Sequence, residues 1–168
     1  MANPLLEVEN LSVDLPTMAG PVHAVRNVSL TIEAGETLCL VGESGCGKSM
    51  TALALMNLLP RGARRSAGRL AFEARDLTTL TEQQMNGLRG ERIAMIFQEP
   101  MTALNPAYTI GDQVTEGYRL HRGASAAQAR HRAVELLHRV GIANAEGRLG
   151  QYPHQLSGGL RQRVMIAM

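Results

Sequence analysis

One lysine stands in the whole chain, Lys48, and it falls inside the run Gly42-Glu43-Ser44-Gly45-Cys46-Gly47-Lys48-Ser49; the other sixteen basic side chains are arginines. No other feature constrains the fold as much, because a glycine-rich loop closing on Lys-Ser belongs between a strand and a helix. With glycine and Ser/Thr each near a tenth of the residues, chance alone would set them around one lysine in this way about one time in a thousand. The flanks agree. Glu36-Thr37-Leu38-Cys39-Leu40-Val41 is a short apolar run entered from Gly35-Glu36, which predicts a buried strand. From Lys48 to Leu59 the residues favour a helix that breaks at Pro60-Arg61-Gly62. Gly42, Gly45 and Gly47 permit positive φ and a close backbone approach, so successive N–H groups converge on one anion-sized concavity facing the positive end of the helix. In such a loop the lysine is a point charge for β/γ-phosphates and the following hydroxyl is a ligand for Mg²⁺. The expectation is a nucleotide-phosphate site; a plain glycine turn joining strand to helix is the alternative set aside.

Composition narrows what surrounds this loop. The 168 residues are 45% apolar, with no run of eighteen apolar residues, which predicts a soluble globular chain of one domain or one and a half. The start, Met-Ala-Asn-Pro-Leu-Leu-Glu-Val-Glu, has neither a basic nor an apolar signal region, so a cytoplasmic location is expected. Cys39 and Cys46 fit neither a disulfide framework nor zinc-ligand spacing and are expected to be free thiols. A net charge of +2 spread along the chain and 3% aromatic content give no footprint for nucleic acid. The one basic cluster, Arg61, Arg64 and Arg65, reads as a solvated loop. Of the five histidines, His131 and His138 lie too far apart on one helix to share an ion, while His23, His121 and His154 are scattered.

Alternating patterns over Leu5–Leu15 and Val22–Ile32 predict an antiparallel β module, and Gly68–Phe72 another short strand. Thr81–Leu88 predicts a short helix with Thr81 as N-cap and Gln84 at the capping-box position. Arg92–Phe97 reads as a buried parallel strand running into Gln98-Glu99-Pro100. Beyond it helical spacing dominates, over Ile110–Leu120 and Ser125–Val140. The expected division is residues 1–99, a β module with a partial α/β core, and residues 100–168, a helical segment.

A second motif, Leu156-Ser157-Gly158-Gly159-Leu160-Arg161-Gln162, opens a last helix on a serine N-cap and two glycines, an anion site by the same backbone logic. Together with the Walker-type loop at Gly42–Ser49 and a strand ending in Gln98, it resembles the nucleotide-binding subunits of ABC transporters along all 168 residues. The stretches Gln98-Glu99-Pro100-Met101-Thr102-Ala103-Leu104-Asn105-Pro106 and Tyr152-Pro153-His154-Gln155 are similar to the ATP-binding subunits of bacterial dipeptide, oligopeptide and nickel importers, peptide being the favoured branch. The resemblance implies an α/β P-loop NTPase fold with an N-terminal antiparallel β module and an appended helical subdomain. It implies ATP and Mg²⁺ as ligands, held by Gly42, Glu43, Ser44, Gly45, Cys46, Gly47, Lys48 and Ser49. Gln98 would sense the γ-phosphate and bind Mg²⁺ and the attacking water, while Ser157, Gly158 and Gly159 would reach the ATP of a second subunit. The implied partners are that second ATP-binding subunit and a membrane-embedded permease, docked by the helices after Pro100. The implied location is the cytoplasmic face of the inner membrane.

Two departures from the family pattern stand out. Leu15-Pro16 occupies the place of an aromatic ring that would stack on adenine, leaving His23 as a substitute. The family's apolar strand ending in Asp-Glu and its switch histidine do not occur up to Met168, and none of the three aspartates, Asp14, Asp76 and Asp112, follows a buried strand. Glu99 as the missing base is set aside, since no aspartate precedes it and it comes before the signature. A shortened chain that binds ATP without hydrolysing it is therefore expected. The rival from another class is a non-catalytic nucleotide-binding decoy that docks a permease or partner ATPase; an ATPase of DNA repair would need long insertions that are absent.

Overall fold

Strand β1 (Leu6–Thr17) buries Val8, Leu11 and Val13, a spacing that strict alternation cannot produce, because residues two apart share a face of a strand. The odd step falls at Asn10, which takes φ 52° where the pairing register with β2 (Gly20–Ile32) shifts between Val8 and Leu11. An extra residue there returns the apolar side chains to the covered face. Backbone groups at the irregularity are met by nearby hydroxyls: Asn10 N–H donates to Ser29 Oγ (2.9 Å) and Asn27 N–H to Ser12 Oγ (3.0 Å). The structure, a computed structural model, describes residues 4–97 and 103–168. It consists of two units, Met1–Arg89 and Gly90–Met168.

In the first unit the sheet runs β2-β1-β4-β5, with β4 at Arg69–Phe72 and β5 at Arg75–Asp76, all antiparallel. The strands expected over 5–15, 22–32 and 68–72 are β1, β2 and β4. The arginine cluster is not a simple loop, however. Arg64–Ser66 is strand β3, paired with Ser12–Asp14 of β1, and Arg65 is half-buried, its guanidinium pushed below the usual arginine pKa by that burial. Helix α1 (Lys48–Leu55) lays Thr51 and Ala54 inward, and α2 (Glu82–Leu88) starts on the expected box, with Thr81 Oγ1 accepting from Gln84 N–H (3.3 Å) and Gln84 Oε1 accepting from Thr81 N–H (2.8 Å).

The expectation of buried strands at 36–41 and 92–97 is overturned. Residues 36–41 form no strand, and Leu38, Leu40 and Val41 are exposed, Val41 by 95%. In the second unit Ile96 and Phe97 are likewise exposed. An apolar run becomes a buried strand only when neighbours hydrogen-bond to its edges and cover its faces, and the described residues supply no sheet partner to 36–41.

The second unit is helical: α3 (Ile110–Arg122), α4 (Ala126–Arg139), the short α5 (Ala145–Arg148), a 3-10 turn at Pro153–Gln155 and α6 (Gly158–Ala167). Thr109 and Ser125 each open a helix with a full capping box, so α3 and α4 begin where their sequence signals lie. Their inner faces meet α6 in one core that includes Ile110, Val114, Leu137, Leu149 and Val164. Leu137 is 0% exposed, so Leu137→Ala is expected to destabilise this unit by about 2–5 kcal/mol, measured by denaturant unfolding.

Candidate nucleotide-phosphate site

Helix α1 begins differently from α2, α3, α4 and α6. Thr81, Thr109, Ser125 and Ser157 cap α2, α3, α4 and α6 with a side-chain oxygen. At α1 the N-cap is Gly47, in the left-handed region at φ 97°, and no side chain satisfies the first turn. The first N–H groups of a helix need partners, and here they are left for something outside the helix. Only glycine fits this corner: a Cβ on Gly47 would lie 2.4 Å from the Ala24 carbonyl oxygen of β2. A Cβ on Gly42 would lie 2.5 Å from Cys46 Sγ, so the loop closes tightly on itself at that point too.

Lys48 turns back over the loop. Its Nζ donates to Gly42 O (2.6 Å) and Glu43 O (2.8 Å), with Cys46 Sγ at 3.4 Å. Two backbone carbonyls thus hold the ammonium group over the loop, and an ammonium carries three donors. Below it, Thr51 is buried and its hydroxyl donates to Gly47 O (3.0 Å), tying the corner to the first turn of α1. The sequence reading missed Thr51, whose only signal was a second hydroxyl, three residues after the lysine, in an otherwise apolar helix. Residues 42–46 are exposed, Gly47 and Lys48 are half-buried, and Ser49 is exposed at the second helical position. The donor set of backbone N–H groups, one ammonium and one hydroxyl fits a polyphosphate with its Mg²⁺.

The three aspartates are committed elsewhere. Asp14 pairs with His23 across β1 and β2 (2.6 Å), Asp76 accepts from Thr78 N–H and Oγ1, which holds its carboxyl below the usual range, and Asp112 completes the Thr109 box. His131 sits against Glu135 (3.2 Å) on α4 and His138 in that helix's last turn. Gln98 and Glu99 lie outside the described residues.

In the second unit Ser157 Oγ accepts from Leu160 N–H (3.4 Å), as its N-cap position predicts. Gly158 and Gly159 follow on the first turn of α6, and a Cβ on either would meet nothing within 4 Å. Two arginines secure this helix: Arg161 Nε donates to Leu156 O (3.0 Å), and Arg163 Nη1 to Gly141 O (2.8 Å) and Val140 O (3.2 Å) beyond the end of α4.

The family model described as ABC transporter matches residues 25–168. A protein of Brucella abortus (strain 2308) named as a peptide import ATP-binding protein is 52% identical over 165 residues, which cover 98% of this chain and 50% of that protein. The dipeptide transport ATP-binding protein DppD of Bacillus subtilis (strain 168) is 50% identical, covering 98% and 49%. The chain therefore spans about half the length of these relatives. Among solved structures, the ATP-binding cassette MJ0796, a dimer in a post-hydrolysis state bound to ADP and Pi, superposes with a TM-score of 0.84 at 27% identity, over 96% of this chain and 67% of that one. The described fold is accordingly part of a P-loop NTPase domain with its antiparallel β module and helical segment. Its glycine corner at the head of α1, the lysine over it and the serine-capped glycine pair of α6 lie inside the matched range, and the chain belongs to the ABC transporter family.

Proposed function

We propose that these residues form the nucleotide-binding part of an ATP-binding subunit that powers import of peptides through a membrane-embedded permease. The loop carries the reading: an ammonium held on two loop carbonyls over a helix start that no side chain caps. Peptide rather than nickel is supported by the names of the relatives at 50–52% identity. In this reading Lys48, Ser49 and the backbone of residues 42–47 hold the phosphates and Mg²⁺, and Gln98 completes the metal's surroundings. The bound nucleotide supplies the phosphoryl group whose transfer drives the transporter.

Gly158 and Gly159 support a second-subunit role for the signature. Nothing among the described residues requires either to lack a side chain, whereas close approach by another molecule's phosphates would. The helical unit has an open cleft of about 880 Å³ walled by Tyr108, Asp112, Glu116, Arg119 and Leu120, which we assign to the permease. No helix among the described residues is long and apolar enough to cross a membrane. Asp14, Asp76 and Asp112 are all engaged in local structure, so none of the three aspartates is offered as a general base for hydrolysis.

Cys46 and Cys39 provide the test, since both are exposed free thiols and only Cys46 lies in the loop. With MgATP at about 100 times Kd, roughly one loop in a hundred is vacant, so alkylation of Cys46 is expected to slow at least about tenfold while Cys39 reacts as before. Equal slowing of the two thiols, or none, would overturn the assignment.

A further inference from the structure

The C-terminal end of α1 is gripped from outside the helix. Arg65 on β3 donates from Nη1 to Ala54 O (2.6 Å) and from Nη2 to Leu77 O (3.4 Å). Arg89, directly after α2, donates from Nε to Met56 O (2.9 Å) and from Nη2 to Asn57 O (3.2 Å). Its remaining reach is fixed by Asn86 Oδ1 (2.7 Å) and by the Glu82 carboxylate, and its side chain is only 14% exposed. The helix has no basic residue in its own last turn, so Arg65 on β3 and Arg89 just past α2 supply the cations that favour its negative end.

Eight residues make a helix too short to hold itself, so its axis is set by its buried face and by whatever grips its ends. Such a helix is about 12 Å long, and a 10° tilt about its C-terminal end would move the other end by about 2 Å. Hydrogen-bond distances to a phosphate tolerate only about 0.5 Å. We propose that Arg65 and Arg89 are positioning residues for phosphate binding, clamping the Ala54, Met56 and Asn57 carbonyls to β3 and α2 and so holding Lys48 and the loop N–H groups in place at the opposite end of α1. This rests on the reading of the loop as a nucleotide site.

The test is a calorimetric titration of the intact protein with MgATP. The double variant Arg65→Gln/Arg89→Gln is expected to bind about tenfold more weakly at unchanged stoichiometry, with faster amide exchange across residues 52–58. Arg89→Lys keeps the charge but cannot span both carbonyls and Glu82, and is expected to bind about threefold more weakly with full stoichiometry. It also serves if the double variant fails to fold. Reduced stoichiometry at unchanged Kd would show that the arginines only maintain the fold, and wild-type affinity in Arg89→Lys would show that charge alone matters; either overturns the positioning role. Lys48→Ala separates the two layers. Lost binding there, with wild-type affinity in the arginine variants, removes this inference and leaves the loop reading standing, whereas wild-type affinity in Lys48→Ala removes both.

Discussion

Replacing Lys48 by alanine is expected to weaken MgATP binding about ten- to hundredfold, because charge-assisted hydrogen bonds to phosphate contribute roughly 1.5–3 kcal/mol. The same change removes the contacts to Gly42 O and Glu43 O, but both residues are exposed and water can take over those carbonyls. Stability should therefore change by no more than about 0.5 kcal/mol. A titration and a denaturant curve on one sample separate the effects. Unchanged affinity would remove the phosphate role of the loop, and a large loss of stability would mean that Lys48 serves mainly to hold the loop together.

Gly47→Ala is expected to do more damage. Its φ of 97° is strained for any residue with a Cβ, at roughly 1–2 kcal/mol. The new carbon would also lie 2.4 Å from the Ala24 carbonyl oxygen, a backbone atom of β2 that cannot rotate away. Displacing backbone in packed structure adds about 1–3 kcal/mol. The sum, about 2–5 kcal/mol, would appear as a lower unfolding midpoint, together with loss of MgATP binding as the corner leaves its seat on β2. Gly45→Ala is the control, since φ there is also positive (84°) but the space is open, so only the strain should register. Equal destabilisation by the two substitutions would rule out the contact with β2 as the reason for glycine at 47.

Features written in a few adjacent residues were legible from sequence. Thr81 with Gln84 and the serine before Gly158 are local chemistry, and each cap forms where it was expected. The Gly42–Ser49 loop reads in the same way, because the helix after it and the turn-prone glycines within it are neighbours in sequence. What depends on distant pairing was not legible. Arg64-Arg65-Ser66 has no apolar pattern and is a strand only because β1 extends past the end of β4 and offers an edge. The register shift at Asn10 follows from two long strands having to keep Val8, Leu11 and Val13 on one face. Residues 36–41 have the composition of a buried strand, yet composition supplies no neighbour, and these side chains stand in solvent. Arg65 and Arg89 carry no motif, since their role depends on carbonyls 11 and 33 positions away.

With a nucleotide phosphate as its ligand, the uncapped start of α1 would tie folding to ligand concentration. Thr81, Thr109, Ser125 and Ser157 finish their helices with the chain's own atoms, whereas on the proposed reading the helix behind Gly47 would be finished by a bound phosphate. A ligand in that position acts as the missing cap, and by mass action it would add RT ln(1 + [L]/Kd) to the stability of the folded state. For this helix, order is then a property of the solution as well as of the sequence: at a few multiples of Kd the gain is about 1 kcal/mol, and at a hundredfold excess about 2.7 kcal/mol.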